Sequence, residues 1–152
     1  MRVAVAFDHR GVHLRERIRA TLAELGHDVV DLGTDTDAHR VDYPDKAREL
    51  GDAIRAGGAE RGVLVCGSGV GAAVAACKIA GIRASVCHDT YSAHQGVEHD
   101  DMNVLCLGSD VVGASLAAEL VRAFLAARFD GGARYVERLE KVQAMERTMG
   151  NG

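Results

Sequence analysis

The stretch VCGSGVGAA, residues 65–73, sets a thiol, Cys66, and a hydroxyl, Ser68, around three alternating glycines, Gly67, Gly69 and Gly71. Glycines leave backbone N–H groups uncovered and let another molecule come close to them. The stretch is not a phosphate loop ending in Gly-Lys-Ser/Thr, and it lacks the offset last glycine of a dinucleotide fingerprint. What it offers is a turn that opens a helix with bare donors, able to hold a phosphate, a carboxylate or a developing oxyanion. The same pattern also serves as a plain strand-to-helix connection. Cys66 stands at a strand end and ahead of a helix N-terminus, a setting that favours thiolate over thiol. Such a thiolate can act as nucleophile or general base; a lone strand-end cysteine can equally be buried and inert. Cys77, Cys87 and Cys106 have no such turn beside them and read as core residues.

Three further groups carry potential chemistry. Asp8 and His9, in FDHRG, fall at the tip of the first strand. A carboxylate beside an imidazole can move protons or hold a sugar hydroxyl, and Asp8 can equally cap the helix that follows. The segment CHDTYSAHQGVEHDDMN, residues 87–103, is dense in His88, Asp89, His94, His99, Asp100 and Asp101. Its spacings match neither HExxH nor a Cys/His zinc pattern, so no metal is expected. His99 is its catalytic candidate, and the rest read as helix-surface polarity. In ARYVERLEK, Arg134 and Arg138 lie four apart on one helix face, the geometry for two guanidinium groups to clasp one phosphate. A solvated face pairing them with Glu137 and Glu140 fits the same spacing.

The elements that must position these groups alternate. Strand-like runs fall at 2–7, 28–33, 62–66, 82–87 and 103–108. Between them, Leu14, Ile18, Leu22 and Leu25 share one face of a helix that Gly26 ends. Pro44, the only proline, suits the first turn of a second helix carrying Ala47, Leu50 and Ile54. VGAAVAACKIAG (70–81) reads as a helix of small residues, 113–128 as a longer one through Leu116, Leu120 and Phe124, and about 134–148 as a last amphipathic helix. Strands alternating with helices imply a five-stranded parallel sheet in a three-layer α/β/α, Rossmann-like domain with an extra C-terminal helix. Ligands of such sheets sit at the carboxyl ends of the strands, where Asp8, Cys66, His88 and Asp110 fall.

The bulk numbers narrow the class. At 152 residues the chain reads as a single domain, 1–152. A net charge of −4 and scarce aromatic residues argue against a nucleic-acid surface. No stretch approaches the ~20 apolar residues of a membrane helix, and the N-terminus lacks the h-region of a signal peptide. Four cysteines without a CxxC pair suit reduced thiols, so a cytoplasmic location is expected.

Taken together, DHRG after strand one, DYPD (42–45), VCGSGVGAAVAACKIAGIRA (65–84), YSAHQGVEHDDMNVLCLGS (91–109) and GGARYVER (131–138) resemble the sugar-phosphate isomerases. These comprise ribose-5-phosphate isomerase type B and the galactose-6-phosphate isomerase subunits. The resemblance implies an aldose–ketose isomerase without cofactor, ribose 5-phosphate to ribulose 5-phosphate being the leading reaction. It implies that Cys66 is the general base, since the glutamate some members use instead falls at Ala72 here. Ser68 and the N–H groups of Gly67, Gly69, Val70 and Gly71 would stabilise the enediolate, and His99 and Asp8 would open the sugar ring. His9, Arg134 and Arg138 would bind phosphate, and Tyr43 would line the sugar pocket. Members work as homodimers, at times dimers of dimers, with sites shared between subunits, so His99, the arginines and the last helix would serve the partner chain.

Two residues depart from the family pattern. Asp100 replaces an asparagine that donates to the enediolate, and a carboxylate beside a developing anion repels it. Either it turns away or it grips a hydroxyl of a different sugar. Asp110 stands where many members carry an arginine that helps with the phosphate.

Overall fold

The computed structural model describes residues 1–149. Within them the chain runs β1 (Arg2–Phe7), α1 (Arg15–Glu24), β2 (Asp28–Asp31), α2 (Tyr43–Arg55), β3 (Arg61–Cys66), α3 (Val70–Ala76), β4 (Ala84–Val86), α4 (Thr90–Asp100), β5 (Val104–Gly108), α5 (Ala114–Ala126) and α6 (Ala133–Met149). The five strands form one sheet in the order β2-β1-β3-β5-β4, and every neighbouring pair is parallel. The chain builds outward from β1 to β2, then restarts at β3 and builds the other way. The ends of β1 and β3 therefore part at the point where open sheets of this class hold ligands.

Side chains alternate across the sheet and fill two cores. Val3, Val5, Phe7, Val63, Val65, Leu105 and Leu107 point to the layer built by α1, α4 and α5, against Ile18, Leu22, Val97, Leu120 and Phe124. Ala4, Ala6, Leu64, Cys66, Val104 and Cys106 point to the layer of α2 and α3, against Ala47, Leu50, Ala72 and Ala76. The small residues of that second layer let α3 lie close to the sheet, and four of its seven residues are alanine. The continuous apolar runs of the central strands follow from burial on both faces. α6 packs on α4.

The expected architecture is present, with several boundaries moved. The first helix opens as a 3-10 turn, Gly11–Leu14, before α1 begins. β2 and β4 are shorter than the runs 28–33 and 82–87. The helix expected over 70–81 stops at Ala76, because the amides of Lys78 and Ile79 bond only three residues back and Gly81 turns with φ +83°. That turn brings Ile79 over Gly51 of α2, where a Cβ would lie 2.7 Å from Ile79 Cδ1. It also corrects the placement of Cys77, which is exposed rather than in the core, with its thiol 3.2 Å from Ala84 O. No helix among the described residues is long and apolar enough to cross a membrane.

Candidate active site

The carboxyl ends of β1, β3 and β5 converge on the glycine turn. Cys66 closes β3, is 4% exposed, and its Sγ accepts from the Gly69 N–H at 3.1 Å. Gly69 holds φ +80°, a conformation that turns this amide back onto the sulfur. The Ser68 hydroxyl accepts from the Val70 N–H at 3.2 Å. The N–H groups of Gly67, Ser68 and Gly71 have no partner among the described residues and remain open to a ligand. The Tyr43 ring, at the start of α2, lies over Gly71, where a Cβ would meet its Cζ at 2.7 Å. Pro44 in the first turn of α2 helps to fix that tyrosine at the helix entrance.

Asp8 is buried and its Oδ1 accepts from the N–H groups of Arg10 (2.9 Å) and Gly11 (2.7 Å), so it does cap the 3-10 turn. That capping places Asp8 at the end of β1, one strand away from Cys66, with its own N–H bonded to Val65 O at 3.1 Å. His9 Nδ1 lies 3.1 Å from Val41 O and 3.2 Å from Val41 N, which fastens the imidazole to the segment leading into Tyr43. His88 Nε2 accepts from the Gly108 N–H at 3.0 Å, tying the end of β4 to β5, and burial lowers its pKa. Asp89 caps α4 through the Ser92 N–H at 2.7 Å, and that bond lowers its carboxyl pKa. Burial pushes the Cys87 and Cys106 thiols up, so they are poor thiolates.

The second group of candidate residues lies on α4 and α6. His99, Asp100, Arg134 and Arg138 line a cleft of about 970 Å³ that continues over Met102 and Val142. The Gln95 amide donates to His99 Nδ1 at 3.0 Å, an arrangement that leaves the ring proton on Nε2. Arg134 and Arg138 form no ion pair among the described residues; Glu137 pairs with Lys141 instead, at 2.8 Å. Both guanidinium groups line the same cleft, whose wall also carries the carboxylates of Asp100 and Glu146. No hydrogen bond or ion pair among the described residues joins this group to the Cys66 turn.

Two residues escaped the sequence reading. Tyr135 stacks on His99, and both Arg138 (5.1 Å) and Arg134 (5.8 Å) lie by its ring. The only local signal was its place between the two arginines. Arg10 pairs with Asp110 and covers Gly67, where a Cβ would lie 2.7 Å from the guanidinium carbon. Among the described residues, no group of three potential metal ligands converges around His88, Asp89, His94 and Asp101. Asp101 pairs with Arg83 at 2.7 Å and His94 lies 3.5 Å from Glu98.

Known proteins resemble this chain along most of its length. A family model described as Ribose/Galactose Isomerase matches residues 3–142. Ribose-5-phosphate isomerase B of Escherichia coli is 44% identical over 145 residues, covering 95% of this chain and 96% of its own. D-erythrulose-4-phosphate isomerase of Pectobacterium atrosepticum is 38% identical over 140 residues, covering 92% and 91%. The structure of ribose-5-phosphate isomerase B from Clostridium thermocellum superposes with a TM-score of 0.94 at 39% identity, covering 98% and 99%. With a switch-point turn carrying Cys66, a cleft carrying His99, Arg134 and Arg138, and matches along almost its whole length, the chain belongs to the ribose/galactose isomerase family.

Proposed function

We propose that the chain interconverts ribose 5-phosphate and ribulose 5-phosphate, with Cys66 as the base. The observation that carries this reading is the Cys66 thiol held by the Gly69 N–H at 3.1 Å inside a turn with three uncommitted amides. The thiolate takes the C2 proton of the open-chain aldose, and the electron pair moves to the carbonyl oxygen on C1. The resulting enediolate is met by the Ser68 hydroxyl and the N–H groups of Gly67 and Gly71. Each well-placed donor of this kind is worth about 3–4 kcal/mol in the transition state. The proton returns from the thiol to C1, O2 loses its proton as O1 gains one, and the sugar leaves as the ketose. No redox partner enters the balance.

His99 and the arginines of α6 belong to the same reaction through a second copy of the chain. Their separation from Cys66 within one chain supports a homodimer in which each site draws on both subunits. There Asp8 and the partner's His99 open the sugar ring, and the partner's Arg134 and Arg138 hold the phosphate, with His9 and Tyr43 lining the pocket.

The substrate is tested with a panel of sugar phosphates in heavy water, including ribose 5-phosphate and erythrulose 4-phosphate. Deuterium uptake at the carbon next to the carbonyl is expected, fastest with ribose 5-phosphate. A faster erythrulose 4-phosphate exchange moves the assignment to a tetrose, a chemistry that one relative's name carries. Cys66→Ala should remove most turnover, about 10²–10⁴-fold, while leaving ligand affinity nearly intact. An unchanged kcat in that variant rules the thiol out as base.

A further inference from the structure

Arg10 sits where a guanidinium has no structural task that explains it. It pairs with Asp110 one hundred residues away, but both side chains are well exposed, at 58% and 42%. Exposed pairs of this kind stabilise a fold by at most about 1 kcal/mol. The pair is nevertheless tightly placed. The Asp110 N–H donates to Gly67 O at 2.9 Å, which ties its backbone to the catalytic turn. The Ser109 hydroxyl donates to Arg10 O at 2.8 Å, which ties the other partner to the end of β5. The guanidinium then lies over Gly67, on ground that any larger residue would occupy.

Its donors are mostly uncommitted. Asp110 engages Nη2, while Nε and Nη1 have no hydrogen-bond partner among the described residues. Next to Gly67 is the open N–H of Ser68, which the enediolate does not use. A guanidinium fork beside a bare amide is a donor set that matches a phosphate. Lys46, near the end of β2, is already spent on Leu32 O (2.9 Å) and Glu49 (2.8 Å). Within one chain, Arg10 is thus the cation that stands on the turn.

We infer that Arg10, held by Asp110, is a phosphate-binding residue supplied by the same chain as Cys66. The inference rests on reading the site as one for sugar phosphates. It adds a cation on the Cys66 side to the arginines of α6, and it makes Asp110 the residue that aims this cation.

The experiment is a calorimetric titration of the full-length protein with inorganic phosphate, alongside steady-state kinetics with ribose 5-phosphate. Arg10→Ala should weaken phosphate binding about 10–100-fold, the span expected for a charged hydrogen-bonding group. KM should rise in parallel while kcat stays within about threefold, because the proton-transfer groups are untouched. The double variant Arg10→Ala/Asp110→Arg should regain most of the affinity, since an arginine grown from position 110 reaches the space that the Arg10 guanidinium leaves. Unchanged phosphate binding in Arg10→Ala, a loss confined to kcat, or no recovery in the double variant overturns the inference. A protein that binds phosphate through Arg10 yet exchanges no deuterium overturns the isomerase reading instead and leaves this one standing.

Discussion

The imidazole of His99 lies almost flat on the ring of Tyr135, with centroids 4.6 Å apart and planes inclined by 26°. Arg134 and Arg138 approach the same ring. One aromatic side chain therefore sets the positions of three residues that the proposed reaction needs. Each cation–ring contact is worth about 0.5–1 kcal/mol at an exposed site, small for stability but enough to narrow where a guanidinium points. Tyr135→Ala should raise KM and lower kcat together, whereas Tyr135→Phe should keep both within about threefold because the ring face persists. Steady-state kinetics of the two variants separate this role from one for the phenol hydroxyl, under which the phenylalanine variant would fail as badly.

Arg138 has no acidic partner among the described residues, and it faces the cleft beside His99. Arg138→Ala should raise KM for phosphorylated sugars about 10–100-fold, the loss of a charge-assisted contact. Binding of the corresponding unphosphorylated sugar should hardly change. An equal effect on both sugars contradicts a phosphate clasp.

A pH dependence follows from His88. Its pKa is lowered from the ordinary value of 6.5 by burial, and its neutral Nε2 accepts from the Gly108 N–H. As pH falls through about 6.5, the unfolded chain takes up this proton before the folded one does. Stability is therefore complete above that value and is lost as pH falls toward the lowered pKa. The thermal midpoint should drop between about pH 7.5 and pH 5.5, and by less in His88→Gln, which keeps an acceptor and does not titrate. His27, lowered chiefly by burial and next by the N-terminal amine, contributes equally to both proteins. Identical pH profiles would remove His88 as a source of the effect.

Gly11 tests how tightly the β1 turn is pressed against the strand of Cys66. A Cβ there would lie 2.1 Å from Val65 O, a backbone atom with nowhere to retreat. Gly11→Ala should lower stability by about 3 kcal/mol in a urea titration. Gly113→Ala, at an ordinary φ of −83° and with nothing within 4 Å of its Cβ, should stay within about 0.5 kcal/mol of the parent. Equal stabilities for the two variants would refute the close approach.

How much of this could be read in the sequence depended on the range of the interaction. The layers were legible because the continuous apolar run of β3 and the four-residue spacing in α5 are local signals of burial. The glycine turn was legible because its function is written in consecutive residues. Helix α3 was overextended because alanines favour helix, whereas Ile79 is drawn away by a contact with Gly51 of α2 that no local pattern announces. Asp8 was left between capping and chemistry, and its two amide bonds establish the cap. Asp110 stood out only as a departure from the family pattern and Arg10 was given no role, because their meeting depends on β1 and β5 both flanking β3.

The register of β3 carries a consequence for how this chain can change in length. Val65 pairs with Phe7 on one side and Cys66 with Gly108 on the other, and the two residues face opposite layers. Inserting one residue between Gly62 and Val65 would turn the sulfur toward the α1–α5 layer, leaving a valine where the thiol stood. Such a protein would still contain every residue of the turn and would be inert. Indels that preserve the reaction are therefore confined to connections such as 35–40, where added chain does not alter which face a strand residue meets.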